Sequence, residues 1–189
     1  MSDYARALTD LVAVLEANGL TYALGGATAL AVWSVPRATL DIDINLWCKP
    51  EEIPDLFCRL ATLGIEVPST AAKQALDEGV AYLRWRGLRL DVFVPSIPFY
   101  EEALRTRVHI PLGDLGMTWV LSAEALCVFK MLFFRPKDVV DVEKMSQILG
   151  EKLDRSYVRH HLVSIVGKED LRIETWDGFA LRARNSADP

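Results

Sequence analysis

Two aspartates in the segment LDIDINLW (residues 40–47) stand at a spacing that suits metal chemistry. Aliphatic and polar residues alternate there, which is typical of a β-strand with same-face neighbours about 7 Å apart. We predict that Asp41, Asp43 and Asn45 line one face, and that the aliphatic residues, including Leu40, face the core. Two carboxylates this close repel each other unless a cation lies between them. Oxygen-only ligands suit Mg²⁺ or Mn²⁺ better than zinc.

A second alternating segment, residues 88–94, carries one more acid, Asp91. If its strand neighbours the first, Asp91 joins Asp41 and Asp43, and three carboxylates can hold two metal ions for phosphoryl or nucleotidyl transfer. We take these three aspartates as candidate catalytic residues and candidate metal ligands. Alternation with exposed acids is also typical of the solvent face of an ordinary half-exposed sheet, and that alternative stays open.

Two glycines precede these strands in the segment YALGGATAL (residues 22–30). A short strand runs into Gly25 and Gly26, and a helix begins directly after them. Glycine lets the backbone approach an anion closely, and the N–H groups at a helix N-terminus bind phosphate. Gly25 and Gly26 are therefore candidate residues for holding a nucleotide triphosphate. A Gly-Gly pair is equally typical of a simple tight turn.

The combination resembles the nucleotidyltransferase superfamily with the DNA polymerase β-type fold. The resemblance rests on Leu24-Gly25-Gly26, on Asp41-Ile42-Asp43 and on Asp91, in that order. It implies an enzyme that uses Mg²⁺ or Mn²⁺ to move a nucleoside monophosphate from a nucleoside triphosphate to a hydroxyl acceptor. The acceptor stays open between an RNA end such as that of a tRNA, a protein and a small molecule. The alternatives are a non-catalytic module of the same fold that binds a nucleotide or a partner, and a metal-dependent phosphodiesterase.

Two further segments are similar to those of the AbiEii-type toxin-like nucleotidyltransferases. One is Arg37-Ala38-Thr39-Leu40-Asp41, and the other is the Lys/Arg/Asp run of residues 130–141. This narrower resemblance implies that Arg37, Thr39 and Lys130 bind the nucleotide. Arg37 could instead brace the aspartates or be an ordinary surface arginine in the loop after Pro36, and these alternatives stay open. It also implies a role in a toxin–antitoxin or phage-defence system, with a cognate antitoxin as partner.

Lys130 has a second interpretation that needs no nucleotide. It stands in the middle of a predicted helix that is apolar nearly all round, and such a helix is typically buried. A buried ammonium group requires an anion nearby, because an unpaired charge in the protein interior is costly. A structural salt bridge with Asp138 or Asp141 would meet that need, and this alternative stays open.

The elements that must position these residues form a mixed α/β part followed by a helical part. The patterns predict strands at residues 21–24, 40–47, 79–86, 88–95, 108–111 and 117–121, with helices at 3–18, 27–33, 51–63, 123–134, 136–149 and 155–166. We expect an α+β fold, a minimal nucleotidyltransferase fold with a mixed β-sheet and flanking helices. Residues 1–120 would form the catalytic domain, and residues 121–189 a helical C-terminal extension packed on it.

The composition limits the classes of function. The 189 residues carry 21 Lys and Arg against 26 Asp and Glu, a net charge of −5, which excludes a broadly basic nucleic-acid-coating surface. The three cysteines are too dispersed for a disulfide framework or a thiolate zinc site, and we expect them to fill the core. The chain shows neither a signal-peptide pattern nor an apolar run of membrane-spanning length, so we expect a cytoplasmic protein with no membrane partner.

A small group of arginines, Arg84, Arg86 and Arg89, flanks the predicted hairpin turn at Gly87. Basic side chains at the edge of a sheet block aggregation, and we predict that role for them. Contact with nucleic acid, through Arg84 and Arg86 on one strand face, is the alternative.

Overall fold

The structure is a computed structural model that describes residues 2–111, 113 and 116–185, with only the backbone described from residue 180 onward. The described chain divides by its internal contacts into two compact units, Met1–Thr28 with Arg37–Leu121 and Ala29–Pro36 with Ser122–Pro189. The helices are α1 Asp3–Ala17, α2 Gly26–Trp33, α3 Ile53–Thr62, α4 Ala71–Glu78, α5 Phe99–Thr106, α6 Ala123–Phe133, α7 Pro136–Leu149, α8 Arg155–Val166 and α9 Leu171–Asn185. The strands are β1 Tyr22–Leu24, β2 Asp41–Leu46, β3 Val80–Trp85, β4 Leu88–Phe93, β5 Val108–Pro111 and β6 Met117–Val120.

The first unit is built on a six-stranded mixed sheet with the strand order β3-β4-β2-β1-β6-β5. The central strands β2 and β4 run parallel, as do β1 and β6, whereas the pairs β1–β2, β3–β4 and β5–β6 are antiparallel. A parallel pair needs a crossover connection, and the chain from α3 to β3 supplies it between β2 and β4. The mixed sheet and flanking helices confirm the predicted α+β class.

The alternation in β2 separates a buried face from a polar one. Ile42 and Ile44 are fully buried, while Asp41 and Asp43 are half-buried on the opposite face. Leu40 is 80% exposed because β2 begins only at Asp41, so the prediction that Leu40 faces the core is wrong. The core of this unit is made by aliphatic and aromatic side chains of the sheet and of α1 and α3: Leu8, Leu11, Leu15, Ile42, Ile44, Leu60, Leu83, Leu90 and Val92.

The second unit is organised around α6. Its residues are buried from Ala123 to Met131, Glu124 excepted, which confirms that the helix with apolar residues on nearly every side is a buried one. The Ser122 hydroxyl accepts a hydrogen bond from the N–H of Ala125 and so caps the helix. Helices α7 and α8 contact α6, and α9 contacts both of them. Across the described residues, every helix is too short or too polar to span a bilayer.

Candidate functional site

The three candidate carboxylates lie on one face of the β2–β4 pair. The parallel register sets Asp43 opposite Asp91 and Asp41 opposite Arg89, and residues paired in this way point to the same side of a sheet. Asp43 therefore has Asp41 as its neighbour along β2 and Asp91 as its neighbour across the sheet. Asp91 is the most enclosed of the three, at 8% exposure. The predicted cluster required β2 and β4 to be neighbours, and in the structure these two strands are paired.

The glycine turn packs directly against Asp43. The N–H of Gly25 donates to the carbonyl of Asp43 at 2.9 Å. A Cβ at Gly25 would lie 2.9 Å from Asn45 Nδ2, and a Cβ at Gly26 would overlap the Asp43 carboxylate. Gly26 also has a φ of +49°, which favours glycine over other residues. Two glycines are required here because the start of α2 lies directly against Asp43 and Asn45.

Arg89 joins the carboxylate face, although the sequence patterns had pointed to a basic sheet edge. Its Nε donates to Asp91 Oδ1 at 2.6 Å and its Nη2 to Oδ2 at 3.1 Å, and its guanidinium lies 4.4 Å from the centre of the Tyr82 ring. The hydrogen bonds to Asp91 raise the pKa of Arg89 above its ordinary value. The edge prediction is wrong for Arg89, because β4 lies inside the sheet between β3 and β2. Its position two residues before Asp91 in an alternating strand was the signal that could have revealed it.

Tyr4 also lies close to the carboxylates. Its hydroxyl is 2.6 Å from the hydroxyl of Thr28, in the first turn of α2. The pKa of Tyr4 is raised mainly by burial, and the negative charges of Asp43 and Asp41 raise it further. No sequence pattern links the start of α1 to the distant aspartates, so sequence reasoning missed this residue.

The segment before β2 places the next two candidates. The Thr39 hydroxyl donates to the carbonyl of Asp41 at 3.2 Å and faces the N–H of the same residue at 3.3 Å. Thr39 thereby fixes the backbone where β2 begins. Arg37 is exposed in the preceding loop. Nucleotide binding by Arg37 and Thr39 stays a prediction.

Lys130 belongs to the second unit, where it is 4% exposed and paired with acids. Its Nζ lies 2.7 Å from Asp141 Oδ2 and 3.5 Å from Asp138 Oδ1. Asp138 also accepts from Arg135 Nε at 2.5 Å. The structure therefore shows the structural salt bridge that was one of the two predicted interpretations of Lys130. Contact between Lys130 and a nucleotide stays a prediction.

The carboxylate face has the donor chemistry for a hard divalent cation. Within the described ranges, no three His, Cys, Asp or Glu side chains are already gathered around a metal position. Asp91 has both oxygens hydrogen-bonded to Arg89, and each of these oxygens has a further lone pair that a metal ion can use. Asp41 and Asp43 stand beside it with carboxylate oxygens, the donors that Mg²⁺ and Mn²⁺ favour. The donor chemistry of these residues fits such an ion.

Solved structures of antibiotic-resistance proteins share this architecture. A solution structure of the antibiotic-resistance factor ANT(2″)-Ia matches with a TM-score of 0.56 at 14% identity, covering 98% of this chain and 96% of that one. A crystal structure of ANT(2″)-Ia in complex with adenylyl-2″-tobramycin matches at 0.58 with 12% identity, covering 96% and 99%. This chain has the nucleotidyltransferase fold.

A further nucleotidyltransferase-fold structure points the same way. The lincosamide antibiotic adenylyltransferase LnuA, with lincomycin bound, has a TM-score of 0.50 at 16% identity and covers 76% of this chain and 96% of its own. No family model and no curated protein matches this nucleotidyltransferase-fold chain. These structures confirm the predicted nucleotidyltransferase fold, and they show nothing of the narrower AbiEii-type likeness.

Proposed function

We propose that this chain is a divalent-metal-dependent nucleotidyltransferase that moves a nucleoside monophosphate from a nucleoside triphosphate to a hydroxyl acceptor. The pairing of Asp43 with Asp91, beside Asp41 and the Gly25–Gly26 turn, is the observation that carries this proposal. The similar structures support the reaction class, since one contains an adenylylated antibiotic and another is an antibiotic adenylyltransferase.

Each element of the site has a task in this proposal. The triphosphate lies at the N-terminus of α2, where the backbone N–H groups of the first helical turn attract an anion, while the Gly25 N–H remains bonded to the Asp43 carbonyl. Asp41, Asp43 and Asp91 hold Mg²⁺ or Mn²⁺, which when bound neutralises phosphate charge and stabilises the charge that develops during transfer. Arg37 and Thr39 add contacts to the nucleotide from the loop before β2.

The chain's own carboxylates also manage the proton of the acceptor. The acceptor oxygen forms a bond to the α-phosphorus, and the bond from that phosphorus to the bridging oxygen of the β-phosphate breaks. Pyrophosphate leaves, and the hydroxyl proton passes to the carboxylate of Asp91. The low exposure of Asp91 keeps competing water away from this carboxylate.

The biological setting that we propose is a toxin–antitoxin or phage-defence system with a cognate antitoxin. The support is the likeness of residues 37–41 and 130–141 to the toxin-like enzymes. Expression of the wild-type chain should arrest bacterial growth, and expression of the Asp41→Asn/Asp43→Asn double variant should not. Equal growth with both chains would contradict the toxin role.

Label transfer from nucleoside triphosphates tests the reaction itself. The protein is incubated with Mg²⁺ or Mn²⁺ and with α- or γ-labelled nucleotides, in the presence of RNA, tobramycin, lincomycin or a protein extract. We expect the α label to enter an acceptor and the γ label to appear in pyrophosphate. The Asp43→Asn variant should lose this transfer, whereas Asp55→Asn, at an exposed acid of α3, should keep it.

Other outcomes would contradict the proposal. RNA that is shortened without added nucleotide would indicate the phosphodiesterase. Bound nucleotide without transfer to any acceptor would indicate the non-catalytic module.

A further inference from the structure

A cleft of about 710 Å³ opens beside the carboxylate face on the β3 side of the sheet. Its walls include residues 66–68 together with Tyr82, Arg84 and Arg89. The strand register joins it to the candidate site: Tyr82 is paired with Asp91, and Arg84 with Arg89. A molecule in this cleft would therefore lie one strand away from the carboxylates.

The wall of the cleft combines an aromatic ring with planar cations. Tyr82 is 42% exposed, and the guanidinium of Arg89 lies over its ring. Such a layer of aromatic ring and guanidinium is a surface on which nucleobases stack. Tyr82 on β3 is paired with Asp91 on β4, so it lies on the same face of the sheet as the candidate site.

Arg84 supplies a positive charge at the same wall. Its side chain is exposed and, within the part of the chain that the structure describes, forms no ion pair. Its backbone is held to that of Glu66 by two hydrogen bonds of 2.9 and 3.1 Å, which fix residues 66–68 along the side of the cleft. Arginine beside an aromatic ring suits a ligand that offers phosphate and base together.

We infer that this cleft receives the acceptor of the proposed reaction, and that this acceptor is the end of a single-stranded nucleic acid. The inference rests on the proposed function and narrows its acceptor class. A base would stack on Tyr82 and Arg89, and a backbone phosphate would pair with Arg84. The charged side chains on the wall are two arginines and Glu66, and Arg84 is the cation available to a phosphate while Arg89 is paired with Asp91.

The negative net charge of the chain is compatible with a nucleic-acid site that is limited to one cleft. A net charge of −5 excludes a broad basic surface, but not a cleft that binds a few nucleotides. Arg89 is paired with Asp91 in this structure. Once Asp91 has another cation, Arg89 can turn to the acceptor phosphate while it remains near Tyr82.

Binding of a short oligonucleotide tests the cleft without nucleotide or metal. Fluorescence anisotropy with end-labelled single-stranded RNA and DNA octamers measures the affinity of the full chain at several salt concentrations. Tyr82→Leu should weaken binding by about 5-fold to 160-fold, as expected for the loss of one stacked base. Tyr82→Phe keeps the ring and should bind like the wild type.

Arginine variants test the phosphate contact. Arg84→Gln should reduce the slope of log affinity against log salt by about 0.7, the value for one contact to a single strand. Arg105→Gln, at an exposed arginine of α5 outside the cleft, should leave the slope unchanged. If Tyr82→Leu and Arg84→Gln both bind like the wild type, or the octamers do not bind at all, the inference is overturned.

The same octamers then serve as acceptors with α-labelled nucleotides. Transfer to octamers with a free terminal hydroxyl, but not to octamers with a blocked one, supports the inference. Transfer only to tobramycin, lincomycin or protein overturns it and leaves the proposed function standing. Octamer binding that follows the variant pattern, without transfer to any acceptor, contradicts the proposed function and with it the acceptor role, and leaves the cleft as a nucleic-acid binding site only.

Discussion

The guanidinium of Arg89 and the carboxylate of Asp91, two residues apart on β4, are joined by two hydrogen bonds of 2.6 and 3.1 Å. Through this pair, a positive group lies among three acids that would otherwise repel one another. Asp91 is thus held in position before any metal arrives. A metal ion at Asp91 would share that carboxylate with Arg89, whose positive charge opposes the binding of a second cation.

Replacing Arg89 should strengthen metal binding in the absence of nucleotide. Arg89→Gln removes the positive charge beside Asp91, and half-exposed ion pairs contribute about 0.2–1 kcal/mol, so we expect Mn²⁺ affinity to rise about 1.4-fold to 5-fold. Calorimetric titration with MnCl₂ measures this, with Arg105→Gln as the unchanged control. Weaker Mn²⁺ binding in Arg89→Gln would show that Arg89 does not oppose metal binding at the site.

The glycine turn should tolerate no added methyl group. Gly26→Ala combines an unfavourable positive φ with overlap of the Asp43 carboxylate, so we expect loss of nucleotide binding. Gly19→Ala is the matched control, because Gly19 also has a positive φ but has open space around it. Urea unfolding should show a loss of about 1–2 kcal/mol for Gly19→Ala and a larger loss for Gly26→Ala. Wild-type nucleotide affinity in Gly26→Ala would contradict the proposed position of the triphosphate.

The buried pairs of Lys130 should stabilise the second unit. Lys130→Met removes the buried ammonium group that lies 2.7 Å from Asp141, and breaking a buried ion pair costs about 3–5 kcal/mol. Urea unfolding measures the loss, and exposed Lys152→Met should change stability by less than about 0.5 kcal/mol. The double variant Lys130→Met/Asp141→Leu should recover part of it. An unchanged free energy of unfolding in Lys130→Met would refute the structural role.

The three thiols should react at widely different rates. Cys58 is exposed, Cys48 is half-buried and Cys127 is buried, so the expectation that all three fill the core holds only for Cys127. Burial, with the charge of Glu52, raises the pKa of Cys48 to about 11, and burial raises the pKa of Cys127 further. Because the thiolate is the nucleophile, iodoacetamide at pH 8 should label Cys58 first and Cys127 only after unfolding.

Mass spectrometry of the alkylated peptides measures these rates. Raising the pH from 8 to 9 should speed the labelling of Cys48 about tenfold, because its thiolate fraction rises tenfold per pH unit below its pKa. Labelling of Cys127 in the native protein would contradict the buried position.

The sequence predicts those elements whose residues repeat a strong local pattern. The alternation of β2 and the apolar α6 are confirmed, and α7 begins and ends at the predicted residues 136 and 149. Helices α4, α5 and α9 are missing from the sequence-based prediction. The signal in α4 is weak because this short, mostly polar helix buries only Ala71 and Ala75. Helix α5 follows Pro98 and buries the adjacent Phe99 and Tyr100, which do not give a clear helical period.

The residues of the site can be predicted from the pattern within each strand, but their arrangement cannot. Asp41, Asp43 and Asp91 can be found from the alternation of polar and apolar residues. Their position side by side depends on the register between β2 and β4, and a long crossover separates these two strands in the sequence. Register also assigns Arg89 to the site. Arg86 shows the opposite case: β3 ends at Trp85, and Arg86 adopts a φ of +51° and pairs with Asp10 of α1. The prediction that Arg84 and Arg86 share a strand face is therefore wrong.

Thermal unfolding with metal and nucleotide together tests the proposed metal–nucleotide site most directly. A ligand at 100 times its dissociation constant stabilises the folded state by about 2.7 kcal/mol, which corresponds to about 5–10 °C in a chain of this size. We predict a shift of this order with Mg²⁺ or Mn²⁺ and a non-hydrolysable triphosphate together, retained in Asp55→Asn and absent in Asp41→Asn/Asp43→Asn. No shift with any metal and nucleotide, or an equal shift in the double variant, would contradict a metal-dependent nucleotidyl-transfer site at these aspartates.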